Sequence, residues 1–151
     1  MTLRKYDPSI DANETYLLIQ TLFGNSKLLY FENIEDFYDY KGWVIVEGKE
    51  KEDKIIAVLL YTYMSGKDIY YLDFIGSQVK GCGTKLLKHF LNYTSVNKNI
   101  YLHVEKSVNM NRLISWYEKY GFVVSENIIE PLLLHMMEDV TTMSLICYSN
   151  F

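Results

Sequence analysis

Apolar and polar positions follow two rhythms along this chain. From Lys54 to Tyr63 apolar residues run almost unbroken, as in a buried strand, and Trp43 to Glu47 is a shorter run of the same kind. The charged turn Gly48 to Asp53 separates them, and Ser65-Gly66-Lys67-Asp68 predicts a hairpin turn before a further strand, Ile69 to Ile75. A helical rhythm then takes over. Leu86, Leu87, Phe90 and Leu91 form one apolar stripe, and Ile100 to Glu105 is the next strand. Met110, Leu113, Ile114 and Tyr117 recur at i, i+3, i+4 and i+7, an amphipathic helix ended by Gly121. Phe122 to Ser125 and Leu132 to Met137 read as strands divided by Pro131, and Thr141 to Phe151 as one more β segment. Towards the start, Asp11-Ala12-Asn13-Glu14 reads as a capping box opening a helix through Phe23, with Leu17, Leu18, Thr21 and Leu22 on one face. A second short helix begins at Asn33 and carries Ile34, Phe37 and Tyr38.

The order is helices, an antiparallel meander, then strand-loop-helix-strand-helix-strand, an α/β arrangement on a mixed sheet. A length of 151 residues matches a single domain, residues 1–151, with no internal repeat. Fifteen Lys and Arg against nineteen Asp and Glu leave a net charge of -4, which argues against a general nucleic-acid surface. No apolar run reaches the roughly 18 residues of a membrane helix, and the first residues contain no apolar signal core. With only Cys82 and Cys147, reduced thiols in a cytoplasmic compartment are the expectation.

Chemistry concentrates in Gly76-Ser77-Gln78-Val79-Lys80-Gly81-Cys82-Gly83, a glycine-rich loop between a strand and a helix. First-turn amides and the helix dipole favour an anion there, and glycines without Cβ let a phosphate approach the main chain. Lys80 adds charge and Thr84 a hydroxyl; alternatively, the glycines only turn the chain into the helix. A dinucleotide fingerprint is excluded because Leu86 stands where a third glycine belongs. A P-loop is excluded because Gly83-Thr84-Lys85 reverses the required Lys-Ser/Thr order.

Gln78 to Leu87 resembles the Q/R-x-x-G-x-G/A segment of the GNAT superfamily of N-acetyltransferases, in a form similar to its histone lysine acetyltransferase branch. Trp116-Tyr117-Glu118-Lys119-Tyr120-Gly121-Phe122 resembles that family's Φ-Y-E-K-x-G-F helix end, and the order of elements matches from Asp11 to Met137. The resemblance implies a mixed, mostly antiparallel sheet of about six to seven strands flanked by about four helices, with a splayed central strand pair. It implies acetyl-CoA as cosubstrate. Main-chain amides of Val79, Lys80, Gly81, Cys82, Gly83 and Thr84 would hold the pyrophosphate, with Gln78 at the Arg/Gln position. Phe74 and Ile75 would offer backbone to the pantetheine arm. Tyr117 would protonate the departing thiolate, unless it is simply a core tyrosine on the apolar stripe. At the usual position of the family's CoA-binding Asn stands Met110, flanked by Asn109 and Asn111, of which Asn111 is the candidate. The strand before the loop ends Asp73-Phe74-Ile75-Gly76 rather than in the family's Val-x-Pro.

Attack on a thioester needs a neutral amine, so a base should take a proton from an ammonium acceptor. Asp73, Glu105 and His103 are candidates on the two strands that would flank the cleft, with His103 and Glu105 on one face. Glu105 also reads as an edge charge, and the family assigns none of the three. Carboxylates interleaved with aromatics from Leu28 to Tyr40 suit a cationic acceptor, or else an acidic helix start over a core stripe. Cys82 is reactive only if the helix start activates its thiol. His89 and His135 are isolated, and no spacing suggests a metal site. The apolar tail after Asp139, with Met143, suits a sheet edge or a second subunit. Two functions remain: direct acetyl transfer to a primary amine (protein lysine, polyamine or other small amine), or a silent CoA-binding or protein-interaction module. Another acyl donor is a variant of the first.

Overall fold

The computed structural model describes residues 1–24, 33–48, 53–66, 68–94, 99–105, 109–124 and 140–146, with backbone alone at Glu105 and through 140–146. The chain forms two compact units, Met1–Thr62 with Asp73–Ser95, and Tyr63–Leu72 with Val96–Phe151.

In the first unit, β1 (Thr2–Lys5) leads into α1 (Pro8–Leu22), and a 3-10 helix (Ile34–Tyr38) precedes β2 (Lys41–Glu47) and β3 (Lys54–Met64). The later half of β4 (Ile69–Ser77) and α2 (Cys82–Thr94) complete it. Strand order is β1-β2-β3-β4, with β1 and β2 antiparallel from Thr2↔Val46, β2 and β3 antiparallel from Lys41↔Tyr61, and a bulge at Ile45/Val46. Seven consecutive buried residues, Ile55 to Tyr61, show why β3 lacks alternation: both its faces are covered. Val58 and Leu60 meet Ala12, Leu18 and Ile19 of α1 together with Phe37, while Trp43 and Tyr61 pack on Phe90 of α2. Gly42 permits close strand approach, because a Cβ there would collide with the Leu59 carbonyl.

One expectation for the N-terminal part is corrected, and one strand that was not anticipated is added. Polar Thr2–Lys5 forms an edge strand that its composition hides. Helix α1 begins at Pro8 rather than Asp11: Asp7 caps it, accepting the Ser9 N–H at 3.0 Å, and Pro8 needs no N–H acceptor in the first turn. Asp11 accepts the Asp7 N–H at 2.8 Å and the two terminal guanidinium nitrogens of Arg4, Nη1 at 2.7 Å and Nη2 at 2.8 Å. The buried stripe is therefore Asp11, Ala12, Thr15, Leu18 and Ile19, and Leu17 stands 61% exposed.

In the second unit, β5 (Asn99–Glu105), α3 (Met110–Glu118), β6 (Val123–Val124) and β7 (Val140–Ile146) follow the start of β4, in strand order β4-β5-β7-β6. Pairing of β5 with β7 and of β6 with β7 is antiparallel. Strands β4 and β5 are parallel, from Ile69↔Asn99 to Leu72↔Leu102, after which β4 continues to Ser77 and β5 to Glu105. Ile100, Leu102 and Val104 are buried and alternate with half-buried Tyr101 and His103, the period of a strand covered on one face.

The fold is thus mixed α/β with a mostly antiparallel sheet, as expected; the described residues contain seven strands, three α-helices and one 3-10 helix. The expected strand Leu132–Met137, and the side chains of Cys147, His135 and Met143, lie outside what is described. No helix of the described residues is long and apolar enough to cross a membrane.

Candidate active site

Strand β4 delivers the glycine-rich loop to the start of α2. The Gln78 N–H is still part of the sheet, donating to the Ile56 carbonyl at 2.9 Å. Ser77 Oγ then donates to the Val79 carbonyl at 2.5 Å and accepts the Val79 N–H at 2.9 Å. The Cys82 N–H donates to the Val79 carbonyl at 3.2 Å, and the Lys85 N–H to the Gly81 carbonyl at 3.1 Å. This narrows the amides available to an anion: those of Val79 and Cys82 are engaged. The N–H groups of Lys80, Gly81, Gly83 and Thr84 have no main-chain acceptor among the described residues. Gly81 adopts φ +91°, a conformation that favours glycine, and a Cβ on Gly81 or Gly83 would meet no heavy atom within 4 Å. No acidic residue occupies the first turn of α2, and Lys80 and Lys85 are exposed beside it. The loop therefore presents open main chain at a positive helix end, which fits a diphosphate.

Cys82 faces inward, buried, its Sγ 3.9 Å from Met1 Sδ. Any role of Cys82 in holding a ligand is thus not through its thiol. Phe74 also points inward, near Phe37 (5.9 Å, stacked), Tyr40 and Phe23, leaving its main chain as its only contribution to a ligand arm. Gly76 lets the end of α1 close in, since a Cβ there would stand 2.7 Å from Leu22 Cδ1. Asp73 is half-buried and accepts a hydrogen bond from Thr62 Oγ1 at 2.7 Å, so its carboxylate has a structural partner.

The second unit carries Tyr117, 6% exposed, near Trp116 (4.9 Å) and Phe122 (5.6 Å). Its carbonyl accepts N–H bonds from Tyr120 at 2.9 Å and Phe122 at 3.3 Å, while Gly121 takes φ +94° and Phe122 is buried. The Tyr-Glu-Lys-Tyr-Gly-Phe run is therefore a left-handed helix stop locked by an aromatic contact. Burial pushes the Tyr117 phenol above its ordinary titration range, keeping it protonated. Asn111 is exposed in the first turn of α3, and Asn109 is its N-cap residue. The Glu105 side chain lies outside the described residues. His103 sits opposite Tyr71, with Nδ1 and the phenol oxygen 2.6 Å apart. Ser77 and Tyr71 are the positions the sequence reading missed; a serine two residues before a loop amide is the local signal for the first. Among the described residues no group of His, Cys, Asp and Glu has the arrangement to hold a metal ion.

The chain has the fold of the GNAT superfamily N-acetyltransferases. It is similar to the ribosomal-protein-S18-alanine N-acetyltransferase from Escherichia coli (TM-score 0.71, 17% identity, 99% of this chain and 97% of that one). It is also similar to an aminoglycoside 6'-acetyltransferase type Ii (TM-score 0.69, 11% identity, 98% of each chain). A spermidine N-acetyltransferase chimera involving Vibrio cholerae is a third (TM-score 0.66, 20% identity, 96% of this chain and 94% of that one). No protein-family model and no curated protein matches the sequence.

Proposed function

We propose that this chain, read as one catalytic domain, is an N-acetyltransferase that moves an acetyl group from acetyl-CoA directly to a primary amine. The observation that carries this reading is the loop into α2. Four main-chain N–H groups without main-chain acceptors stand beside two glycines whose Cβ directions are open, at a helix start free of acidic side chains. In this reading the amides of Lys80, Gly81, Gly83 and Thr84 hold the diphosphate, and the main chain at Phe74 and Ile75 holds the pantetheine arm. Gln78 and Asn111 contribute polar contacts to the same ligand. The thioester supplies an activated carbonyl. A backbone N–H polarises it, and Tyr117 gives its proton to the departing thiolate. Glu35 and Asp39, exposed beside exposed Tyr38, support a cationic acceptor; Asp36 is occupied by the Asn33 N–H at 2.8 Å.

One observation favours a second reading, a CoA-binding module without turnover: Tyr117 is as buried as a core residue. Thiol release is therefore measured with polyamines, amino acids, aminoglycosides and histone-tail peptides as acceptors. Tyr117→Phe should lower kcat about 100-fold while leaving CoA affinity within about twofold. CoA binding with no release for any acceptor selects the silent module, and no CoA binding at all removes both.

A further inference from the structure

His103 is the first residue of β5 beyond Leu102, where pairing with β4 ends. Tyr71 on β4 faces it, with the phenol oxygen 2.6 Å from Nδ1 and the ring centroids 5.4 Å apart. The other nitrogen, Nε2, is shut off from solvent and has no hydrogen-bond partner among the described residues. A polar atom buried with its bond unmade costs about 1–3 kcal/mol, a cost that a leucine in the same space would not carry. An unmet nitrogen of this kind suits a ligand rather than the core. Desolvation also keeps the ring neutral by lowering its proton affinity. Asp73, the alternative on β4, already accepts the Thr62 hydroxyl.

We propose that His103 is the proton acceptor for the amine substrate, with Nδ1–H donated to the Tyr71 oxygen and the unpartnered Nε2 lone pair reached by the amine only as the acceptor binds. This rests on the acetyltransferase reading above. One proton passes from the ammonium group to Nε2. The freed nitrogen forms a bond to the thioester carbonyl carbon, and the C–S bond breaks as the thiolate takes the Tyr117 proton. The second nitrogen proton passes through solvent to the Tyr117 phenolate, and the imidazolium gives up its proton to solvent that enters as the product leaves. Tyr71 is a positioning residue that fixes ring and tautomer.

The test uses the best acceptor from the panel, with His103→Ala and His103→Gln. Both should lose kcat by about 100-fold or more with the KM for acetyl-CoA within about twofold. Added imidazole should restore part of the rate to His103→Ala, which leaves a hole, and none to His103→Gln, which fills it. His103→Leu should melt near wild type, because relief of the unmet Nε2 is offset by loss of the Nδ1 contact to the Tyr71 phenol. Either His103→Ala or His103→Gln retaining kcat within about threefold overturns the proposal, as does a loss in His103→Ala that imidazole does not repair. A wild-type protein without turnover defeats the underlying reading instead, and this inference falls with it.

Discussion

Replacing Gly81 by alanine separates a glycine that only turns the chain from one that also admits a ligand. Gly81 has φ +91°, and no heavy atom stands within 4 Å of the added Cβ, so the substitution creates strain without a clash. Holding an L-residue in that region costs roughly 1–2 kcal/mol. For a chain of this length each kcal/mol shifts the melting temperature by about 2–4 °C, so a fall of about 2–8 °C is expected. If the loop holds a diphosphate, the methyl group occupies the approach and at least one N–H bond to a charged oxygen is lost. That is worth about 1.5–3 kcal/mol, or about 10- to 150-fold in Kd for CoA. Isothermal titration measures it, with free pantetheine, which has no diphosphate, as the control whose affinity should not change. Gly83→Ala is the internal comparison. Gly83 has no positive φ, the motif it resembles accepts alanine there, and relief of backbone entropy should add about 0.5–1 kcal/mol of stability with CoA binding kept. A Gly81→Ala protein that melts lower yet binds CoA like wild type would refute the diphosphate assignment.

Three further outcomes are expected. Phe37, fully buried between Tyr16, Tyr40 and Phe74, should cost about 3–5 kcal/mol when truncated to alanine, lowering the melting temperature by about 6–20 °C. Asp11→Ala removes the carboxylate that Arg4 and the Asp7 N–H share, leaving Arg4 only the Lys5 carbonyl at 3.2 Å, and a urea midpoint should register about 2–4 kcal/mol; less than 1 kcal/mol would mean Arg4 is served by solvent. Burial raises the phenols of Tyr6, which also donates to the Phe37 carbonyl at 2.5 Å, and Tyr117. Their contribution is complete below the unfolded value near 10 and declines as pH rises past it, because only the unfolded chain then releases those protons. His103 has the opposite sign: lowered by burial, it contributes fully above about pH 6.5 and loses that contribution as pH falls below it. Urea midpoints that stay flat between pH 9 and 11 would contradict the tyrosine assignment.

Most of the architecture was legible because period and length agree. The unbroken apolar run of β3 and the i, i+3, i+4, i+7 stripe of α3 leave little alternative, and the observed bounds match closely. Thr2–Lys5 escaped notice because an edge strand pairs through its backbone and needs no apolar side chains. The start of α1 was misplaced because Asp11 and Glu14 imitate a capping box one turn too late, when Asp7-Pro8 already holds both signals of a helix start. Glu14 is instead spent on a distant partner, accepting the Ile55 N–H at 2.6 Å. At the site, the strand-glycine-helix pattern picked out the loop, whereas Tyr117 was singled out by the family resemblance, its spacing alone being that of a core stripe. Which amides are engaged, which nitrogen of His103 lacks a partner and what holds Asp73 depend on cross-strand neighbours that no local pattern encodes.

The Ser77 hydroxyl closes a small ring on both polar groups of Val79 before any ligand arrives. A loop shaped in advance has little conformational freedom left to surrender when an anion docks. For the diphosphate proposed here, affinity would then depend mainly on fixed dipoles and the nearby lysines, and would weaken steadily with ionic strength. Freeing the loop by Ser77→Ala would shift that balance, making association more costly in entropy while leaving its sensitivity to salt in place.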